Sequence, residues 1–240
     1  MFGAILWREW IGFKNKWLSI SLSALVSPLL YLVAFGWGLG DSFSINNTPY
    51  GSFIMPGIIA MNAMTNGFSV IANDINMSRI YQKTFEAVMT SPVKMPVYVI
   101  ARISAHVLRC LYAAFLIVLL SFAFRAHIGL DWYFITVLVL NCYVFSAIGF
   151  IAGILIDSHG DIAKVSSFAV TPMAFLCGTF FPLEKFPPGL KTFFSILPLS
   201  QTVNALRNGF ALAGWLPLLA LAVYLAALLP LAIRLCAKAE

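Results

Sequence analysis

"FFPLEKFPPGLKTFFSILPLSQTVNALR", residues 180 to 207, decides how many times the chain crosses a membrane. Four prolines (Pro182, Pro187, Pro188, Pro198) and four charges interrupt a run otherwise rich in Phe, Leu and Ile. As one membrane helix it would break at Pro198, and Lys191 and Arg207 would each need a polar partner or an interface to reach. Two short helices, 187 to 197 and 199 to 208, fit better. Pro188 suits a helix start, Phe186, Leu190, Phe193, Phe194 and Leu197 form one apolar stripe, and Gly209 ends the second piece. At about 1.5 Å per residue, a helix of roughly eleven residues reaches about half of a 30 Å core. The expectation is a re-entrant helical hairpin over 183 to 209, entered from and returning to the outer face.

The rest of the chain places that hairpin in a membrane protein. With 61% hydrophobic residues, 10% charged ones and a mean hydropathy of +0.91, there is too little polar surface to cover a soluble globule. A membrane-spanning helix takes about 20 apolar residues. Uncharged or nearly uncharged runs of that length lie near 17 to 39, 52 to 72, 97 to 124, 132 to 156, 162 to 182 and 211 to 233, which predicts six spans. The runs are continuous and do not alternate with a period of two, which excludes a β-barrel. Arg8, Lys14 and Lys16 precede a first run far longer than a signal-peptide core, so no cleavable signal is expected. The cysteines (Cys110, Cys142, Cys177, Cys236) lack C-x-x-C spacing and read as small packing residues. The predicted class is all-α: a single polytopic domain over 1 to 240.

Basic residues favour cytoplasmic loops. Arg8, Lys14 and Lys16 precede the first span, while residues 40 to 51 carry no basic residue. Arg79, Lys83 and Lys94, Lys164, and the tail residues Arg234 and Lys238 fall on the same side if there are six spans. Both termini are therefore expected in the cytoplasm, with Arg125, Lys185, Lys191 and Arg207 as the exceptions outside. The net charge of +6 suits topology and anionic head groups. No basic, aromatic-interleaved soluble module for nucleic acid exists.

Several stretches carry patterns of their own. Residues 1 to 16 place Trp7, Trp10 and Lys14 at helical spacing and read as an interfacial helix in the plane of the inner leaflet. Over 78 to 92 a cytoplasmic helix is expected, with Arg79, Lys83 and Glu86 on one stripe and Tyr81, Phe85 and Met89 on another. Such a helix suits docking into a groove or lying under head groups. In the second span, Asn62, Asn66, Ser69 and Asn73 form a polar stripe. It must face protein or a wet cavity, as helix-to-helix glue or as a substrate path. Arg102, His106 and Arg109 share a face of the third span, either snorkelling or collecting an anionic head group. In the hairpin region Phe181, Phe193, Phe194 and Gln201 are candidates for an outer gate.

The Phe-Pro pair closing the fifth span, the PPGL-x-x-F piece and "LPLSQTVNALR" together resemble the C-terminal signature of ABC-2-type transporter permeases. "RIYQKTFEAVMTSPVKMPVYVIARI", residues 79 to 103, is similar to the family's segment between the second and third spans, with Glu86 followed by Ser91-Pro92. The nodulation, drug and polysaccharide export branch looks closest. The resemblance implies a permease in the bacterial inner membrane that dimerises with itself and pairs with two copies of a separate ABC ATPase. Residues 78 to 92 would then be the coupling helix. It implies no catalytic residue, metal or cofactor in this chain, with ATP and magnesium bound by the ATPase. The residues agree on one point, since no G-x-x-x-x-G-K-[ST] phosphate loop occurs and "GLKT" at 189 to 192 lacks the glycine directly before lysine.

Two other classes stand beside the exporter. An ion-coupled secondary transporter needs acids within the membrane, whereas Asp41, Asp74, Asp131, Asp157 and Asp161 sit at span ends. An intramembrane enzyme needs a convergent constellation, and His106, His127 and His159 are scattered along the sequence. The cargo class implied by the resemblance is amphipathic or lipid-linked: glycolipid or polysaccharide, lipid, or hydrophobic drug.

Overall fold

Long apolar runs without water to bond must close their backbone hydrogen bonds internally, so they become helices. A computed structural model describes residues 2–37, 44–45, 48–89, 94–123, 129–209 and 215–238. Apart from a two-residue antiparallel ladder pairing Ser44–Ile45 with Thr48–Pro49, the regular structure described is helical. Among the described residues, five helical stretches are long and apolar enough to cross a membrane: Ile5–Phe35, Tyr50–Tyr81, Met95–Phe122, Trp132–Leu155 and Trp215–Lys238.

They correspond to α1 (Phe2–Tyr31, continued by a π-helical turn), α2 (Tyr50–Asn76, likewise continued), α4 (Met95–Ala123), α5 (Trp132–Leu155) and α10 (Trp215–Lys238). A short α3 (Thr84–Met89) lies between α2 and α4. The centre is α2, packed on α5, α4 and the short α9 (Pro198–Asn208), while α1 lies against α4, and α10 against α5 and α9. Small residues set the closest approach. A Cβ at Gly149 would come within 2.5 Å of the Phe68 carbonyl oxygen, and one at Gly153 within 2.8 Å of the Ala72 carbonyl oxygen. The α2–α5 contact therefore depends on both glycines, as close helix packing in membranes requires.

Two expectations change here. Residues 2 to 16 do not form a helix separate from the first span, because α1 runs unbroken from Phe2 to Tyr31. Before Pro28 the helix contains Gly3, in its first turn, and Gly12, and a glycine inside a helix costs just about 1 kcal/mol. The sixth expected span, 162 to 182, is not among the five long apolar helices. It is instead α6 (His159–Val165), a π turn (Ser166–Val170) and α7 (Thr171–Leu176) in succession. Asp161 and Lys164 lie in its first turns, and the widened turn directly precedes Pro172, whose ring removes an N–H and crowds the preceding turn.

The opening stretch divides as its prolines dictate. A short 3₁₀ turn (Leu183–Lys185) precedes α8 (Pro188–Ile196), and α9 (Pro198–Asn208) follows after the extended Leu197. Gly209, with φ +60°, ends α9. The two helices remain distinct, with a break at Pro198.

Candidate functional site

The segment joining α2 to α4 is less regular than its periodicity suggests. After the π turn Met77–Tyr81, the chain breaks at Gln82 and Lys83, and α3 resumes at Thr84. Lys83 has φ +53°, a left-handed conformation that costs a non-glycine residue about 1 kcal/mol or more. The continuous helix expected over 78 to 92 is thus interrupted, and its two stripes do not align. Tyr81 is 64% exposed, whereas Phe85 is buried and packs edge-on against Tyr98 with ring centroids 6.1 Å apart. Phe85 therefore belongs to the interior and not to an outward aromatic ridge. Lys83 is exposed. Arg79 reaches across to Asp157, just after α5. Glu86 and Met89 lie on the α3 backbone, but their side chains, and Ser91 and Pro92 entirely, fall outside the described residues.

Close to this segment sits an ionic cluster. Arg102, in the second turn of α4, is 1% exposed and donates one guanidinium nitrogen to Glu9 of α1 and another to Asp74 of α2. His106, one turn further along α4, bonds through Nδ1 to the Arg102 carbonyl oxygen at 2.9 Å. Its Nε2 lies 3.5 Å from Asp74 Oδ2. Glu9, Asp74 and His106 bring one ligand-type atom each within 4.8 Å of one another. A buried cation between two carboxylates is neutralised by them, and its guanidinium fork suits that double contact. Arg102 is consequently committed inside the protein. Arg109, two turns beyond, is half-buried and makes no ion pair or hydrogen bond among the described residues.

The asparagine stripe of α2 bonds chiefly to helix. Asn62 donates to the Ala24 carbonyl oxygen of α1 at 3.3 Å, Asn66 donates to Asn62 Oδ1 at 2.7 Å, and Asn73 donates to the Ser69 carbonyl oxygen at 2.8 Å. Asn66, Ser69 and Asn73 are nevertheless half-exposed. A buried polar pair farther in joins three helices, with Thr202 of α9 donating to Asn141 Oδ1 of α5 at 2.9 Å and Asn141 donating to the Ala60 carbonyl oxygen of α2 at 3.2 Å.

At the opposite end of α2, Arg207 of α9 donates to the Thr179 carbonyl oxygen at 2.9 Å and to the Phe53 carbonyl oxygen at 3.3 Å. Its guanidinium also stacks 3.8 Å from the Phe53 ring centroid. Arg207 is thus a staple to α2 and not one of the solvent-facing charges. Phe53 and Asp74 are about 32 Å apart along α2, about the thickness of a hydrocarbon core. The hairpin and the ionic cluster therefore sit at opposite ends of the bundle. Phe181 and Phe193 are exposed, Phe194 stacks edge-on with Phe186 and Phe193, and Gln201 donates to the Ser195 carbonyl oxygen between the two short helices.

These features lie within the reach of one known family: the model described as ABC-2 type transporter matches residues 1–211. The chain belongs to the ABC-2 type transporter family. It is 27% identical over 214 residues to the inner membrane transport permease YadH of Escherichia coli strain K12, covering 84% of this chain and 83% of YadH. It is 26% identical over 208 residues to nodulation protein J of Rhizobium meliloti strain 1021, covering 85% of this chain and 79% of that protein. This ABC-2 transporter chain is accordingly a multi-pass membrane transport subunit.

Glu9, Phe53 and Asn141 of this ABC-2 chain lie outside every motif and stripe in the sequence, while Thr202 lies within "LPLSQTVNALR" on no stripe of its own. Glu9 had a signal: it is an acid among Trp7, Trp10 and Phe13, where an unpaired charge is costly. A buried arginine elsewhere was its natural complement. Asn141, a lone amide in an apolar run, had a similar signal. Phe53 had none, since a carbonyl and a ring face cannot be told from any other phenylalanine in the sequence.

Proposed function

We propose that this chain is the permease of an ABC exporter, moving an amphipathic or lipid-linked cargo out of the cytoplasm or inner leaflet. Two copies form the path and two copies of a separate ATPase drive it. The observation that carries the reading is the segment Met77–Met89, which presents the exposed Tyr81 and Lys83 where α2 and α4 meet. Strained backbone at Lys83 suits a functional contact. The N- and C-termini lie in the cytoplasm in this reading, with residues 159–176 supplying the sixth crossing that returns the basic tail inside.

Coupling in this proposal falls on Tyr81, Lys83 and Glu86, with Arg79 and Phe85 holding the segment in place. Tyr81→Ala and Lys83→Glu are each expected to weaken association with the ATPase by about tenfold or more, with the permease still present in the membrane at normal level. Phe85→Ala, by contrast, costs the fold about 3 to 5 kcal/mol. Binding of the ATPase by both surface variants at wild-type affinity would remove the docking role. The half-exposed Asn66, Ser69 and Asn73 would line the path between copies.

At the other end, the exposed Phe193 with Phe194 and Phe181 would form an outer gate, and Gln201 would hold α8 to α9. Phe193→Cys, in a background without the four native cysteines, is expected to react with an impermeant thiol reagent from outside, faster during ATP hydrolysis. Equal labelling with and without ATP would mean that the hairpin does not gate.

An ion-coupled transporter has one observation in its favour, the convergence of Glu9, Asp74 and His106. Arg102 already bonds both carboxylates, taking the position that a coupling cation would need.

A further inference from the structure

Beside the ionic cluster, α1 and α4 leave a cavity of about 180 Å³. Its walls are Leu6, Trp10 and Phe13 on α1 and Leu108, Arg109 and Tyr112 on α4. Trp10 stacks on Phe13 with centroids 5.7 Å apart, and Phe13 meets Tyr112 edge-on at 4.9 Å. The aromatic wall is therefore built and not merely exposed. Tyr112 is further fixed by a 2.8 Å hydrogen bond with Ser21.

We infer that this groove binds the head group of an anionic bilayer phospholipid, with Arg109 as its phosphate ligand. Charge decides the occupant. Glu9 also lines the cavity, but its carboxylate is bonded to Arg102 and lies 3.5 Å from Arg8. The charged lining residues are Glu9 and Arg109; Arg8 and Arg102 offset the Glu9 carboxylate from behind the wall, which leaves the Arg109 charge to set a positive balance in the groove. Arg109 is the one of the three cations without a partner among the described residues.

Depth points the same way. The groove faces residues 6 to 13 of α1, just before the exposed Lys14, Lys16 and Trp17, and tryptophan and lysine mark head-group level. Basic pockets between helices at that level take lipid phosphates. Leu108, 60% exposed at the rim, offers an apolar start for the acyl chains.

The inference rests on the chain lying in a membrane as proposed above, but not on an ATPase, so its test needs none. Purified permease in detergent is titrated with dioctanoyl-phosphatidylglycerol and dioctanoyl-phosphatidylcholine, with bound lipid counted by native mass spectrometry. Wild type is expected to prefer phosphatidylglycerol by about tenfold, the scale of one charge-assisted contact. Arg109→Gln is expected to lose that preference, Arg109→Lys to keep part of it, and Arg234→Gln, on exposed α10 surface, to keep all of it. Retention of the preference in Arg109→Gln would overturn the assignment. So would full displacement of the lipid by inorganic phosphate, which would make the site one for the free anion. In the wild type, a phosphatidylglycerol carrying a diazirine on its head group is expected to label peptides spanning 6–13 and 105–112. Labelling confined to other segments would overturn the site even if the Arg109 variants fail to fold.

Discussion

Arg102→Met is expected to leave little folded permease in the membrane. The substitution keeps much of the side-chain volume but strands Glu9 and Asp74, whose oxygens lie within 4.8 Å of each other and of His106. Removing one partner from a fully buried ionic set costs about 3 to 5 kcal/mol; Asp74 keeps 39% of its side chain exposed, which brings the expected cost to the lower end of that range, against a total stability of about 5 to 15 kcal/mol for a typical domain. The damage also falls where α1, α2 and α4 are joined, so the two helices flanking the segment Met77–Met89 lose an ionic tie. Yield of monodisperse protein and its midpoint of thermal unfolding are the readouts. The triple variant Glu9→Gln, Asp74→Asn, Arg102→Met should recover most of the loss, because replacing a whole buried ionic set by neutral groups is often tolerated. A single Arg102→Met variant as stable as the wild type would show that the cluster holds nothing together.

That cluster also shows what can be read from a sequence of this kind. Helix is legible in the long apolar runs because the bilayer allows little else, and five of the six expected spans stand as long apolar helices. The remaining one, expected over 162 to 182, is not among them: Lys164 lowers its hydropathy and Pro172 interrupts its regularity, so it stands as shorter helical pieces in succession. The division of the hairpin at Pro198 is legible because proline acts on its own backbone. Its placement is not, since Arg207 finds Phe53 and Thr179 far away in the chain.

The same limit governs the arginines. Arg102 and Arg109 look alike by spacing, and only the partners Glu9 and Asp74, 93 and 28 residues away, separate a structural cation from an open one. Periodicity likewise groups Tyr81 with Phe85, until the positive φ at Lys83 turns one outward and the other inward.

Whether ATP is the energy source separates the exporter from its rivals more sharply than any variant. ABC-2 permeases generally work with an ABC ATPase, and in the exporter proposal that second subunit binds and hydrolyses the ATP. Movement of a fluorescent long-chain amphiphile across proteoliposomes should therefore require three things together: this permease, an ABC ATPase and hydrolysable ATP. Omitting any one should reduce movement to the rate of empty vesicles, and collapsing proton and sodium gradients should change nothing. Purified ATPase in the same vesicles should hydrolyse ATP faster when the permease is present. The decisive measurement is that movement recorded with ATP and ATPase but no ion gradient, beside the reverse condition of an imposed gradient and no ATPase. Movement only in the first condition is the result expected of an ABC-2 permease, and movement in the second alone would contradict it.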